Sequence, residues 1–224
     1  MKIYKKNEYD IIYSIILGDG SIYKSDNSYT IFVGHGASQK DYLKWKCDLI
    51  NSTPISSNAL KINSKLTSLH KQTGKQYLQY YFKKTNKDFK QFFDCYYSQE
   101  NRINNILNNL HSDRALSIWF MDDGATVKRR RKHVDGSIWY DRPTLNLCTH
   151  CFTEEENIDI LKWFKKKYLI DGKLNHDNKR GKRYTYLRFN SAEAFKIFTL
   201  IRPYIEQIES MRKKFDFFYE YYKL

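Results

Sequence analysis

Cysteine, proline and glycine are all scarce in this 224-residue chain, which has 4 Cys, 3 Pro and 9 Gly. So little proline and glycine excludes collagen-like repeats and linker-rich sequence. Cys47 and Cys95 are isolated, and Cys148-Thr149-His150-Cys151 is a single cluster, not the two ligand pairs of a structural zinc site. Residues 144–151 also alternate like a strand, which sends Cys148 and Cys151 to opposite faces. Reduced thiols in an intracellular protein are expected. No long hydrophobic run is present either: residues 11–17 are interrupted by Tyr13 and Ser14 and fall well short of the ~20 residues of a membrane span. No membrane partner is expected. The first seven residues have neither the apolar stretch of a secretory signal nor the look of a transit peptide, so no secretion is expected.

Acid is the other shortage, with 25 Asp+Glu against 39 Lys+Arg and a formal net charge of +14. At 41% hydrophobic and 17% aromatic, the chain can bury a core, so this excess of base does not belong to a disordered tail. A polyanion is the expected partner, since each phosphate neutralised releases condensed counterions. Residues 1–112 carry 16 bases against 9 acids and residues 113–224 carry 23 against 16, so each half is +7. Abundant Lys, Asn, Ile and Tyr fit an AT-rich coding sequence, as in mitochondrial, phage or AT-rich bacterial genomes.

The even share has a counterpart in an internal repeat. Ile11-Ile12-Tyr13-Ser14-Ile15-Ile16-Leu17-Gly18-Asp19-Gly20 and Ala115-Leu116-Ser117-Ile118-Trp119-Phe120-Met121-Asp122-Asp123-Gly124 are apolar helical runs ending in Asp-Gly, 104 residues apart. After the first come strand-like residues 29–35, a helix with Leu43-Lys44-Trp45, strand-like 60–69 and 76–83, and amphipathic 87–97. After the second come 144–151, a helix with Leu161-Lys162-Trp163, strand-like 172–176 and 183–190, and helical 192–201. The chain reads as an α+β protein of two αββαββ repeats, residues 1–110 and 111–224. The Leu-Lys-Trp triplet follows Asp19 by 24 residues and Asp123 by 38, and the surplus holds the basic run 128–133. Residues 206–223 predict a closing helix.

The glycine ending each apolar run is a helix stop. The aspartate before it is not explained that way, because a carboxylate at a helix C-terminus meets the negative end of the macrodipole, at a cost of about 0.3–1 kcal/mol. Apolar helices of this kind bury against each other, which brings Asp19 and Asp123 together with terminal carbonyls. Such a nest of hard oxygens calls for a cation, and Mg²⁺ suits one or two carboxylates plus phosphate oxygens. A divalent site in a strongly basic protein points to phosphodiester hydrolysis. His35, His133 and His150 are read as ordinary histidines rather than ligands or a general base.

The two decapeptides resemble the paired signature helices of the LAGLIDADG homing endonucleases, and Phe120-Met121-Asp122-Asp123-Gly124 is very similar to the second motif of their single-chain members. The resemblance covers nearly the whole chain. It departs at Leu17, where the consensus has an acid, and at Tyr13 and Ile118, where smaller residues are frequent. It implies two pseudo-symmetric units joined through the motif helices, saddle-like antiparallel sheets in the DNA major groove, and Mg²⁺-dependent (or Mn²⁺-dependent) cleavage of both strands to leave 3′ overhangs. By position it implies Asp19 and Asp123 as metal-binding acids, with the carbonyls of Gly18 and Asp122 as neighbouring ligands. It also implies a basic residue near each scissile phosphate, for which Lys214 and Arg102 are the candidates.

Strand alternation supplies DNA-facing candidates without the resemblance. In the first half Thr30, Phe32, Tyr77, Gln79 and Tyr81 fall opposite a core face of Ile31, Val33, Leu78, Tyr80 and Phe82. In the second half Asn146, Cys148, His150, Tyr184, Tyr186 and Arg188 fall opposite Leu145, Leu147, Leu187 and Phe189. Arg188, Asn146 and Gln79 have the chemistry for bidentate base contacts. Lys24, Lys61, Lys65, Lys128, Arg129, Arg130, Arg131, Lys132, Lys182 and Arg183 are expected to hold phosphates. The leading expectation is a monomeric double-strand DNA endonuclease. An RNA-binding intron maturase of the same fold is the alternative, and a transcription regulator would be expected to lack at least one acid. An intein is disfavoured, since the ends show no splicing nucleophile or His-Asn pair.

Overall fold

The computed structural model describes residues 9–54, 58–70, 72–98, 100–179 and 181–224. The first motif run forms α1 (Asp10–Leu17), followed by β1 (Gly20–Ser25), β2 (Ser28–Gly36), α2 (Lys40–Asn51), β3 (Asn63–Leu66), β4 (Leu78–Asn86) and α3 (Lys90–Tyr96). A short α4 (Arg102–Leu107) leads into the second motif helix, α5 (Asp113–Asp123), and then β5 (Gly124–Val127). Here the surplus residues fold into a separate hairpin of β6 (Arg130–Lys132) and β7 (Ile138–Tyr140). The order of the first half then resumes with β8 (Thr144–Leu147), α6 (Glu154–Tyr168), β9 (Lys173–Lys179), β10 (Lys182–Phe189) and α7 (Ser191–Ile205). The two four-stranded antiparallel sheets are ordered β1-β2-β4-β3 and β5-β8-β10-β9, the same topology twice. Equivalent registers, Gly20 opposite Val33 and Gly124 opposite Leu147, align the strand that leaves each motif helix.

The motif helices form the centre. Every residue of α1 and residues 115–121 of α5 are buried, and the two helices pack on each other. Their approach is close because small groups face across it. Ser14 Oγ donates to the carbonyl of Ala115, and a methyl added at Gly18 would lie 2.2 Å from Asp122 Oδ2. Tyr13 turns to an edge-on contact with Phe92 of α3, ring centroids 4.8 Å apart. The start of α1 is tied across the repeat as well: buried Asp10 accepts the backbone N–H of Ser112, the residue that caps α5. Two local expectations change. The strand over 144–151 stops at Leu147, because the Cys148 N–H turns to the carbonyl of Asp123 and a turn follows at Thr149, leaving both Cys148 and Cys151 exposed. The closing helix is two, α8 (Glu209–Lys214) and α9 (Asp216–Tyr222), broken at buried Phe215. No described helix is long and apolar enough to cross a membrane.

Candidate functional site

Asp19 follows the end of α1 at the entry to β1, and Asp123 is the last residue of α5. Beside Asp19, in space, lies the side chain of Asp122. Its carboxylate is enclosed and takes four hydrogen bonds: Lys46 Nζ at 2.6 Å from Oδ1 and 2.8 Å from Oδ2, the Tyr42 hydroxyl at 2.8 Å, and the backbone N–H of Asp19 at 3.1 Å. Lys46 is itself fully buried, 4.3 Å above the centre of the Tyr42 ring and 3.2 Å from His35 Nε2. An ammonium can only donate, so His35 Nε2 accepts and the ring proton sits on Nδ1. From there it faces Gln39 Oε1 at 3.2 Å and Asp19 Oδ2 at 3.8 Å. Burial and the neighbouring Lys46 push the His35 pKa down to about 4, so the imidazole is neutral. On the other side Lys214, from α8, donates to the carbonyls of Met121 at 2.6 Å and Asp122 at 2.9 Å.

Three carboxylates therefore share a partly enclosed space with two ammonium groups. Burial, and then the charges of Asp122 and Asp19, push the Asp123 carboxyl up to about 7 against the opposing pull of Lys214 and Lys46. Asp19 is raised by burial and by Asp122. Lys214 is lowered by burial, which outweighs the three acids that favour its charge. Asp19, His35 and Asp122 place one ligand atom each within 4.8 Å of one another. That trio is a poor ligand set. A carboxylate has about four lone-pair sites, and Asp122 has all of them engaged, while both ring nitrogens of His35 face partners already. The carboxylates left to meet a cation are Asp19, whose side chain is 47% exposed, and Asp123.

The expected site residues are not all drawn into this cluster. Gly18, Asp19, Asp122, Asp123 and Lys214 come together. Arg102 does not: it makes a bidentate ion pair with Glu156, 2.9 and 2.8 Å, and stacks over Tyr96 and Phe152. The basic group beside the first acid is instead Lys46, which the sequence reading passes over. Its signal lies in the repeated triplet, where Leu43-Lys44-Trp45 continues to Lys46 but Leu161-Lys162-Trp163 continues to Phe164, a buried ring packed on Trp119, Phe120 and Phe189.

On the first sheet Phe32 and Tyr81 stack at 5.5 Å with Lys65 Nζ 5.2 and 5.3 Å above their rings. Gln79 is partly exposed there, and Lys24, Lys61 and Tyr77 are exposed. Thr30 is a correction: it is 3% exposed, its hydroxyl bonded at 2.7 Å to Thr85 on the neighbouring strand, so it offers nothing to a ligand. Leu78, placed in the core by alternation, is 40% exposed. On the second sheet Asn146 and Arg188 are direct cross-strand partners, exposed His150 packs against Tyr184 and Tyr186, and Cys148 and Arg183 are exposed. The side chain of Lys182 lies outside the described residues. In the inserted hairpin Arg129, Arg130 and Lys132 are exposed, while Arg131 pairs with Asp141 and Lys128 with Glu220.

Two acids at the ends of paired helices, each leading into a four-stranded antiparallel sheet, match a known family model. Residues 9–197 fit that of the LAGLIDADG DNA endonuclease family. The chain belongs to this family. Among solved structures, the homing endonuclease I-WcaI bound to its DNA recognition sequence has a TM-score of 0.69 at 18% identity, over 96% of this chain and 88% of that one. I-DmoI in complex with DNA and Ca has a TM-score of 0.51 at 10% identity, over 88% and 89%. At these identities the likeness is one of fold. Curated relatives named Protein RecA, from Mycolicibacterium flavescens and Mycobacterium shimoidei, are 25% and 26% identical over 211 residues. Each match covers 88% of this chain but 44% of the relative, so the LAGLIDADG chain spans less than half the length of these relatives.

Proposed function

We propose that the chain is a site-specific endonuclease that hydrolyses phosphodiesters on both strands of a long, partly asymmetric double-stranded DNA site, leaving 3′ overhangs. It acts as a monomer with Mg²⁺ or Mn²⁺, and each repeat, residues 1–110 and 111–224, meets one half-site. The observation that carries this reading is the gathering of Asp19 and Asp123 around Asp122, where burial and repulsion by the Asp122 charge raise both carboxyls. A cation relieves that repulsion, and the donor set of two carboxylates flanked by the Gly18 and Asp122 carbonyls is hard oxygen throughout, which suits Mg²⁺. A divalent ion held there supplies a Lewis acid for the phosphoryl oxygens and lowers the pKa of a bound water. Lys214 offers positive charge beside the acids, suited to a phosphate whose charge grows during reaction. The exposed bases of the sheets and of the β6–β7 hairpin would hold the DNA backbone. I-WcaI and I-DmoI, of like fold, were both solved with DNA.

Selection of cleaved sites from a random or genomic DNA library in Mg²⁺ tests the reading directly. Recovery of one long site is expected. Asp19→Asn or Asp123→Asn should abolish double-strand cleavage of that site while DNA affinity persists, and a wild-type rate in either variant overturns the assignment. Mg²⁺ or Mn²⁺ should also raise the thermal midpoint of the wild type more than that of either variant. Tight binding of intron RNA without any DNA cleavage would replace the endonuclease reading with that of a maturase.

A further inference from the structure

The two centres are not built alike, and the difference lies in one buried ion pair. Gly18 and Asp122 are equivalent in the two motif runs, as are Lys46 and Phe164 in the two following helices. The first repeat thus contributes a buried ammonium and a bare glycine, and the second contributes a carboxylate and a ring. Asp122 crosses the repeat interface to lie against Gly18, and Lys46 meets it from α2. Burying two opposite charges without gain over an apolar pair is common, so stability alone does not account for the arrangement. Its geometry does. Among the described residues the Asp19 backbone N–H donates to Asp122 Oδ2, and that oxygen is held in place by Lys46 and Tyr42 through the same carboxylate.

Asp123 has no need of this support, because it is part of α5 and its carbonyl is bonded to the Cys148 N–H at the end of β8. We propose that the Lys46–Asp122 pair is a positioning device for Asp19, so that the two strand cleavages depend on it unequally. Lys46 touches no reacting atom; it acts through Asp122 on the turn that carries the first acid. This inference rests on the endonuclease reading above. A misplaced ligand of the order of 1 Å costs on the order of 10²-fold in rate, and the loss should fall on the strand served by Asp19.

The test uses a supercoiled plasmid carrying the selected site, with nicked and linear products followed over time in Mg²⁺. Lys46→Met leaves a buried carboxylate unpaired and can fail to fold, so the informative variants are charge-free pairs. Lys46→Met/Asp122→Ala removes the acceptor for the Asp19 N–H, whereas Lys46→Met/Asp122→Asn keeps an amide oxygen there. The Ala pair is expected to accumulate nicked circles, with cleavage of one strand slowed about 10²-fold, unchanged KM and unchanged DNA affinity. The Asn pair should recover part of the lost strand cleavage. If the Ala pair linearises plasmid with the wild-type balance of strands, or if both strands slow equally, the positioning role is wrong while the endonuclease reading stands. A wild type that cuts neither strand would remove both.

Discussion

Gly18→Ala is the smallest change that reaches the centre of the molecule. The new methyl would lie 2.2 Å from Asp122 Oδ2, 2.6 Å from its Cβ and 2.7 Å from its Cγ. Carbon contacts settle at about 3.5–4.0 Å, so the overlap is roughly 1 Å or more. Asp122 is poorly able to retreat, since its carboxylate is held by Lys46 and Tyr42. The motif helices must part, which as overpacking costs about 1–3 kcal/mol, or the ion pair must open, and a broken buried pair costs about 3–5 kcal/mol. The cheaper of the two sets the expected loss, about 1–3 kcal/mol. At roughly 2–4 °C per kcal/mol for a chain of this size, the thermal midpoint should fall by about 2–12 °C. Urea and thermal denaturation measure it, and a double-mutant cycle isolates the contact. In an Asp122→Gly background the offending atoms are gone, so adding Gly18→Ala should cost less by about 1–3 kcal/mol. A Gly18→Ala variant as stable as wild type, or a cycle with no coupling, would refute the close approach of the two helices.

Other perturbations have equally definite outcomes. In metal-free protein the raised Asp123 carboxyl means that the folded state holds a proton the unfolded state has lost between about pH 4 and pH 7. Stability contributed there is present at the acid end and declines as pH rises towards 7, by up to about 2 kcal/mol after allowance for solvent. Denaturation in EDTA at a series of pH values should show that slope, and Asp123→Asn should flatten it. Arg102→Ala removes one member of a partly buried bidentate pair with Glu156 and is expected to cost about 1–3 kcal/mol of stability, read by urea denaturation, with a smaller effect on cleavage rate than Lys214→Met. Replacing Arg130 and Lys132 of the inserted hairpin with Gln should weaken DNA binding at all sequences and lower the slope of log affinity against log salt by about one for each phosphate no longer neutralised. Thiol labelling should reach exposed Cys148 and Cys151 quickly and buried Cys47 only on unfolding.

The frame of the fold is legible because it rests on periodicity and on duplication. Apolar runs closing on Asp-Gly, and strands alternating Leu145/Leu147 and Leu187/Phe189 inward, carry their own evidence, and the structure buries these residues. What escapes is decided by partners distant in sequence. Lys46 carries no mark of its own in the sequence, and its role emerges only with the carboxylate, 76 residues away, that it meets. Arg102 is open to assignment beside the acids until Glu156, 54 residues on, claims both edges of its guanidinium. Thr30 obeys the alternation of its strand, yet a hydroxyl that finds Thr85 can be buried at little cost. Alternation also carries on past Leu147, where the backbone has already turned to bond with the end of α5.

The placement of opposite charges in opposite repeats also bears on what the chain can no longer be. Two copies of the first repeat, paired through their motif helices, would enclose two Lys46 ammonium groups with glycine facing glycine. Two copies of the second would set Asp122 against Asp122 without a Lys46 to meet either carboxylate. Like charges held close without water are penalised, so at this pair each half is matched better by the other than by its own duplicate. The covalent link between the repeats is thus reinforced by a buried ion pair whose two charges come from opposite halves of the chain, which favours the union of unlike repeats over that of like ones.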